Sequence, residues 1–422
     1  MDKNKLKNSK TFCMAPWMSS HTWPDGRVFP CCTWDTSEVI GNINDNTLEE
    51  IWNSEKYKQL RLDMLSETPV KSCERCYKMG SAGDMTYRHK MNEYLDENFK
   101  YVEETHDDGH SPNFNLHLWD FRISNFCNFK CRSCGLELSS SWFNDTKEMG
   151  QLNGHQSALI NVNDKSSFMD MLTPHYKCVE EVYFAGGEPL MMPEHYHIMD
   201  KLIELGRTDV VLRYSTNFSI LKFKDSHVFD YWKQFPNLEL LISVDGVKEI
   251  GEYVRKGYKH DMFVNNVNDF INSGIKYKNL AFVVTYGTLN YLHMFDLVLN
   301  FIENGFLGNG IGDVYFSPIH EPKHYDCGYL PKKIKDEFQI RMSSFRSELS
   351  AYNLSEDFVN SIMDKLKMIY ETSNQSEYSF EHMNNCANIT MRLDKIRKEN
   401  LMDITPYFKS YDDFTNNEIK FI

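Results

Sequence analysis

The eleven cysteines of the 422-residue chain are clustered. Five lie between Cys13 and Cys76, three lie between Cys127 and Cys134, and Cys178, Cys327 and Cys386 stand apart. The tightest group is Cys127-Asn128-Phe129-Lys130-Cys131-Arg132-Ser133-Cys134, spaced C-x3-C-x2-C. Three thiolates on one short loop each hold one iron of a 4Fe–4S cube. The fourth iron is then left to chelate a substrate or cofactor, as an open zinc position does. Zinc is the alternative, but a structural zinc wants four closed ligands, and no fourth Cys or His lies close in sequence. A second group joins Cys13 and Cys31 to the C-x2-C knuckle Cys73-Glu74-Arg75-Cys76. Four thiolates from separated places close either one tetrahedral zinc or one fully ligated 4Fe–4S cluster, and spacing alone does not choose.

These residues need elements to position them. Apolar, β-branched or aromatic runs at 115–124, 181–185, 210–215, 238–244, 279–286 and 312–317 predict strands. Amphipathic stretches alternate with them. In the one from Asn290, Tyr291, Met294, Phe295, Val298 and Ile302 share a face, and Asn304-Gly305 ends it. Spacing near that of a βα unit argues for a parallel sheet. The runs finish in Ser124, Glu188, Asn217, Asp245, Thr285 and Ser317, and barrel chemistry sits at C-terminal strand ends. Six units are too few to close an eight-stranded barrel, so the expected fold is α/β with an open, partial TIM-like barrel. The cysteine triplet comes directly after its first strand. Residues 1–110 read as a small cysteine-rich domain, 111–328 as the barrel, and 329–422 as a helical extension with helices at 331–350 and 354–373 and a mixed tail. Thr47-Leu48-Glu49-Glu50 fits a capping box, with Leu48, Ile51, Trp52 and Leu60 as the buried stripe of the helical stretch it opens. The acidic, turn-rich stretch 103–112 reads as a linker, and the lysines of the first ten residues as a mobile tail.

Composition bounds the setting. Lys+Arg 46 against Asp+Glu 60 leaves a net charge of −14, which lacks the basic stripe that nucleic acid requires. No apolar run approaches a membrane span, and no signal peptide is expected. A cytoplasmic protein is expected, where clustered thiols are metal ligands rather than a disulfide framework.

At the cysteine triplet the chain resembles the radical S-adenosylmethionine (radical SAM) superfamily. That resemblance implies a partial (β/α)6 barrel whose cluster binds S-adenosylmethionine (SAM) through its open iron. One electron then splits the sulfonium, and a 5′-deoxyadenosyl radical abstracts a substrate hydrogen atom. It also implies a low-potential electron donor of flavodoxin or ferredoxin type. Gly186-Gly187-Glu188-Pro189 resembles the family's GGEP element, in which the glutamate binds the methionyl amino group. Ser215 and Asn217, with Ser243 and Asp245, stand where the family contacts the ribose and methionyl part, and Arg255 resembles the arginine used on the SAM carboxylate. One position departs: the residue before the third cysteine, usually aromatic, is Ser133, so Phe129 or a later aromatic must complete the adenine pocket.

Cys13-Met14-Ala15-Pro16-Trp17, Asp25-Gly26-Arg27-Val28-Phe29-Pro30-Cys31-Cys32, Gly41-Asn42-Ile43, Ile51-Trp52-Asn53 and the C-x2-C knuckle resemble the SPASM/Twitch extension of these enzymes, here ahead of the barrel instead of behind it. Four or five cysteines match the Twitch type with one auxiliary 4Fe–4S cluster. Its implied ligands are Cys13, Cys31, Cys73 and Cys76, with Cys32 able to replace Cys31. The expected function is hydrogen abstraction from a peptide or protein, the auxiliary cluster assisting. A small-molecule substrate (sugar, aminoglycoside, nucleotide-like) and a non-catalytic zinc or iron–sulfur binding protein are the alternatives. His195 and His197, two apart on a helix, read as surface residues, and His320 and His324 as solvated. Cys178, Cys327 and Cys386 read as buried or idle thiols.

Overall fold

The computed structural model describes residues 2–81, 85–308 and 310–405. The chain divides into two compact units. One contains residues 1–125, 159–214 and 234–237; the other contains 126–158, 215–233 and 238 onward.

In the first unit, β1 (Ser19–Thr22), β2 (Arg27–Phe29) and β3 (Gly41–Asn42) form an antiparallel meander. The β1–β2 turn is set by Gly26, whose φ of +87° suits glycine. Parallel strands β4 (Leu118–Phe121), β5 (Glu181–Phe184) and β6 (Val211–Thr216) fall where the apolar runs predict. β1 lies parallel beside β4, Ser19 opposite Leu118, so the cysteine-rich segment extends this sheet. The helix α1 (Ala15–Met18) leads into β1. The Thr47 capping box opens α2 (Leu48–Trp52), Ser54 caps α3 (Glu55–Leu65), and Leu48, Ile51, Trp52 and Leu60 are buried. Arg61 is fully buried. Its Nε donates to the Pro16 carbonyl (3.0 Å) and its Nη2 to the Trp52 carbonyl (2.8 Å), which fixes α1.

Three expectations change in this unit. The linker is pinned: the Asn53 amide exchanges two hydrogen bonds with Ser111 (3.0 and 2.9 Å), and Arg61 donates to the Gly109 carbonyl. The expected mobile tail forms a one-turn helix, Lys3–Lys7, anchored by Leu6 and by ion pairs of Lys3 and Lys7 with Asp96. His195, on α5 (Pro193–Glu204), is buried rather than on the surface. Its ring meets Phe184 edge-on and its Nε2 sits 2.9 Å from the Tyr214 hydroxyl; His197 does face solvent.

In the second unit β7 (Leu238–Ser243), β8 (Asn279–Tyr286) and β9 (Asp313–Pro318) run parallel in chain order, again on the predicted runs. The short α6 (Phe143–Glu148) comes after the cysteine triplet, and α7 (Lys248–Val254) after β7. α8 (Met294–Glu303) buries Met294, Phe295, Val298 and Ile302 and ends at Gly305, φ +73°. The helices α9 (Lys332–Leu349) and α10 (Glu356–Ser373) match the expected pair. Where a mixed tail was expected, α11 (Phe380–Arg397) forms an 18-residue helix capped by Ser379. Its buried stripe of Met383, Cys386, Ala387, Thr390, Leu393, Asp394 and Arg397 has helical period but contains Thr, Asp and Arg, which hides it from an apolar count.

Candidate functional site

In the second unit the triplet loop is held from several directions. Lys130–Cys131 pairs antiparallel with Arg255–Lys256, setting Arg255 directly opposite Cys131. The Trp142 indole donates to the Cys131 carbonyl (2.9 Å), the Ser141 hydroxyl to the Cys127 carbonyl (2.7 Å), and the Ser139 hydroxyl to the Phe129 carbonyl (2.5 Å). Gly257 turns the chain beside the loop at φ +114°; a Cβ there would fall 2.6 Å from Phe129 Cδ1 and 3.0 Å from the Asn128 carbonyl. Asn217 Nδ2 donates to Asn128 Oδ1 (2.8 Å), and Asn128 in turn donates to Ser219 (2.9 Å). Asn217 and Ser219 thus hold the loop through Asn128.

Arg255 and Asp245 form a buried pair, Nη1 to Oδ2 3.0 Å, and Asp245 Oδ1 accepts from the Thr285 backbone N–H (2.9 Å). Burial opposes the Arg255 charge, but the neighbouring Cys131, Asp245 and Cys127 hold its pKa above the ordinary range. Burial pushes the Cys134 thiol up to about 12, Cys131 adding to it and Arg255 pulling against it. Arg255 Nε is buried with no hydrogen-bond partner among the described residues. An orphaned cationic donor beside three thiols fits a missing anionic group, as a thiolate-ligated cube with a bound carboxylate would be. Ser243 stands on β7 opposite Val283 and Ser215 near the end of β6, both half-buried. Ser133 lines a small space with Asp245, Thr285, Ile319 and Tyr325. Tyr325 is therefore the aromatic that accompanies Ser133, while Phe129 faces the Arg255 guanidinium.

In the first unit Gly186 has φ +109°, and a Cβ there would meet Arg122 Cβ at 3.0 Å, so the GGEP turn needs glycine at that position. Gly187 and Pro189 complete the turn, and the buried Glu188 accepts from the Leu190 N–H (3.1 Å). The same unit gathers the second thiol set. Cys13 precedes α1, Cys31 lies just past β2, Cys73 closes a short 3-10 turn, and Cys76 lies on α4 (Glu74–Ser81). Burial pushes the Cys13 thiol up, and Cys31, Cys73 and Cys76 all add to it. Cys31 and Cys73 are both raised to about 12, again first by burial. Cys32 is exposed and is not among the thiols that act on Cys13. Among the described residues no three His, Cys, Asp or Glu side chains are gathered tightly around one ion-sized point. The four thiols are neighbours at longer range, a donor set with the chemistry for iron and sulfide.

Sequence reasoning missed Asp145, which pairs with Lys130, the distant Asp394 and Glu399, which pair with Arg132, and Arg397, which reaches the loop only through Asp145. The alternation Lys130-Cys131-Arg132 was the available signal, since two cations flanking a ligand need partners. His324, expected in solvent, packs edge-on to Tyr325 (4.2 Å between ring centroids), and burial lowers it to about 4.

Residues 121–298 match the Radical SAM superfamily, and residues 13–77 match an iron-sulfur cluster-binding domain, SPASM. The chain carries a radical SAM domain with this second domain ahead of it, and the two matches imply SAM and 4Fe–4S clusters as cofactors. Its fold class is the α/β partial barrel of that superfamily with a helical C-terminal region. Similar solved structures include hexahistidine-tagged anSMEcpe with bound AdoMet (16% identity over 54% of this chain and 60% of that one, TM-score 0.36). Native anSMEcpe with bound AdoMet and Cp18Cys peptide is 17% identical over 54% and 60%, TM-score 0.36. SuiB of Streptococcus suis bound to S-adenosylmethionine is 17% identical over 64% and 58%, TM-score 0.38. The chain thus spans about 60% of the length of these structures. No curated protein matches it. Among the described residues no helix is long and apolar enough to cross a membrane.

Proposed function

We propose that the chain is an enzyme that cleaves SAM reductively and, with its N-terminal cluster assisting, oxidises or modifies a peptide or protein side chain. A 4Fe–4S cube held by Cys127, Cys131 and Cys134 would supply one-electron reduction of the SAM sulfonium, the chemistry that starts hydrogen abstraction. The observation that carries the reading is Arg255: paired opposite Cys131, backed by Asp245, and holding an unspent buried donor. In this reading Cys127, Cys131 and Cys134 hold three irons, and Arg255 offers its fork to the SAM carboxylate. Asp245 orients that fork, Glu188 accepts from the methionyl ammonium, and Ser215, Asn217 and Ser243 line the strand ends. Gly186, Gly187 and Pro189 shape the turn that presents Glu188. Cys13, Cys31, Cys73 and Cys76 hold the auxiliary cube. A cytoplasmic flavodoxin- or ferredoxin-type protein is the electron donor in this account.

The test is anaerobic reconstitution with iron and sulfide, reduction by dithionite, and addition of SAM. Equimolar 5′-deoxyadenosine and methionine are expected, and none would overturn the reading. Arg255→Met should weaken SAM binding at least tenfold, since a hydrogen bond to a charged group is worth about 1.5–3 kcal/mol. Deuterated peptide and small-molecule pools then report the substrate class: deuterium in 5′-deoxyadenosine from the peptide pool supports a peptide, and from the other pool alone it replaces that choice.

A further inference from the structure

We infer that the C-terminal helix α11 is a positioning element for the cysteine loop and sets the electrostatic potential at the cluster the loop holds; this rests on the radical SAM reading above. Lys130 and Arg132 flank Cys131, and both find partners tied to α11 or to the turn after it. Arg132 pairs with Asp394 on α11 and with Glu399 (3.0 Å), and its guanidinium lies 3.9 Å from the Tyr253 ring centre. Glu399 also takes Lys256 (2.7 Å), the residue opposite Lys130 in the strand pair. On the other side, Lys130 and Arg397 share Asp145, each at 2.7 Å. The Arg397 guanidinium covers Trp142, the residue whose indole holds the Cys131 carbonyl. Tyr253 and the Leu401 N–H both donate to Asp394 (2.8 Å each), so its carboxylate is fixed.

These ions are buried: the side chains of Arg132, Asp145 and Arg397 are 1%, 2% and 0% exposed. Burying ionised groups is a poor way to fasten a helix, because desolvation offsets most of the attraction and apolar residues would hold it as well or better. Their position explains them better than stability does. Arg397 Nη1 and Nη2 are buried with no hydrogen-bond partner among the described residues, which leaves positive potential directed at its surroundings. Each electron added to a thiolate-ligated cube makes it one unit more negative, so a nearby cation favours the reduced form and a nearby carboxylate opposes it. α11 supplies one of each: Arg397 favours reduction and Asp394 moderates it.

Asp394 and Arg397 are thus positioning residues with opposite electrostatic signs. The test is a redox titration of the reconstituted holoprotein, following the reduced triplet cluster by electron paramagnetic resonance. Asp394→Asn should shift the reduction equilibrium threefold to tenfold toward the reduced form, and Arg397→Met the same amount the other way. Those factors correspond to about 30 to 60 mV for one electron. Arg397→Lys should recover most of the loss. Shifts of the same sign, or below about 1.5-fold, overturn the inference. Where a variant takes up no cluster, amide exchange of residues 127–134 in that variant decides: faster exchange than wild type supports positioning, and unchanged exchange refutes it. Glu399→Gln, less buried, repeats the test with a milder change in the direction of Asp394→Asn. Absence of any triplet cluster in the wild-type protein would instead overturn the radical SAM reading, so the two failures are distinct.

Discussion

Replacing Gly257 by alanine places one methyl group in the tightest contact around the cysteine loop. At φ +114° an L-residue is strained, at a cost of about 1–3 kcal/mol. The added Cβ also lands 2.6 Å from Phe129 Cδ1 and 3.0 Å from the Asn128 carbonyl, and crowding of that kind costs about 1–3 kcal/mol more. The sum is about 2–6 kcal/mol, and the cheapest release is to part Arg255–Lys256 from Lys130–Cys131. The Arg132 amide, which donates to Val254 at 2.7 Å beside that pair, should then exchange at least about 30-fold faster, since 1.4 kcal/mol is a factor of ten. Iron after anaerobic reconstitution should fall from about eight atoms per chain to about four as the triplet cube is lost. Gly150→Ala is the control. Its φ is +69°, yet nothing lies within 4 Å of the new Cβ, so it should carry backbone strain alone and keep its iron. Unchanged Arg132 exchange in Gly257→Ala, or equal iron loss in both variants, would refute the reasoning.

The same geometry sets three further outcomes. Cys31→Ser should lose iron from the N-terminal set while Cys32→Ser keeps it, because Cys31 neighbours Cys13 whereas Cys32 is exposed; equal loss in iron assays would contradict that placement. His195 is buried and lowered to about 3, so the folded chain keeps it neutral while the unfolded chain protonates it near 6.5. Stability is then fully present above about pH 6.5 and falls as pH drops toward 3, by about 2 kcal/mol at pH 5, and His195→Phe should flatten that part of a denaturant-midpoint profile against pH. Asp245→Asn should weaken SAM binding by equilibrium dialysis about tenfold, because Arg255 would lose its charged partner and its fixed orientation.

The strands and most helices were legible because their burial has simple periods: β4 to β9 all fall on apolar runs, and α8 buries the face that its spacing marks. The clustering of the cysteines into two sets is plain in the sequence because residue type and spacing carry it directly. What stayed hidden depended on distant sequence. The choice between Cys31 and Cys32 turns on which way a chain leaves β2, and adjacent residues carry no sign of that. β1 pairs with β4 across almost a hundred residues, so the linker between them reads as loose although Asn53 and Arg61 pin it. α11 was obscured because its buried face includes Thr390, Asp394 and Arg397, polar positions that make sense only once Tyr325, Arg132 and Asp145 are seen to face them.

We propose that Cys127, Cys131 and Cys134 hold one iron–sulfur cube, built for SAM, and that Cys13, Cys31, Cys73 and Cys76 hold a second. The most direct measurement is iron and acid-labile sulfide per chain after anaerobic reconstitution, in wild type and in the Cys127→Ala, Cys131→Ala, Cys134→Ala triple variant. The expected values are about eight of each in wild type and about four in the variant, with 5′-deoxyadenosine formation lost only in the latter. About four irons in wild type, or bound zinc without sulfide, would contradict the claim.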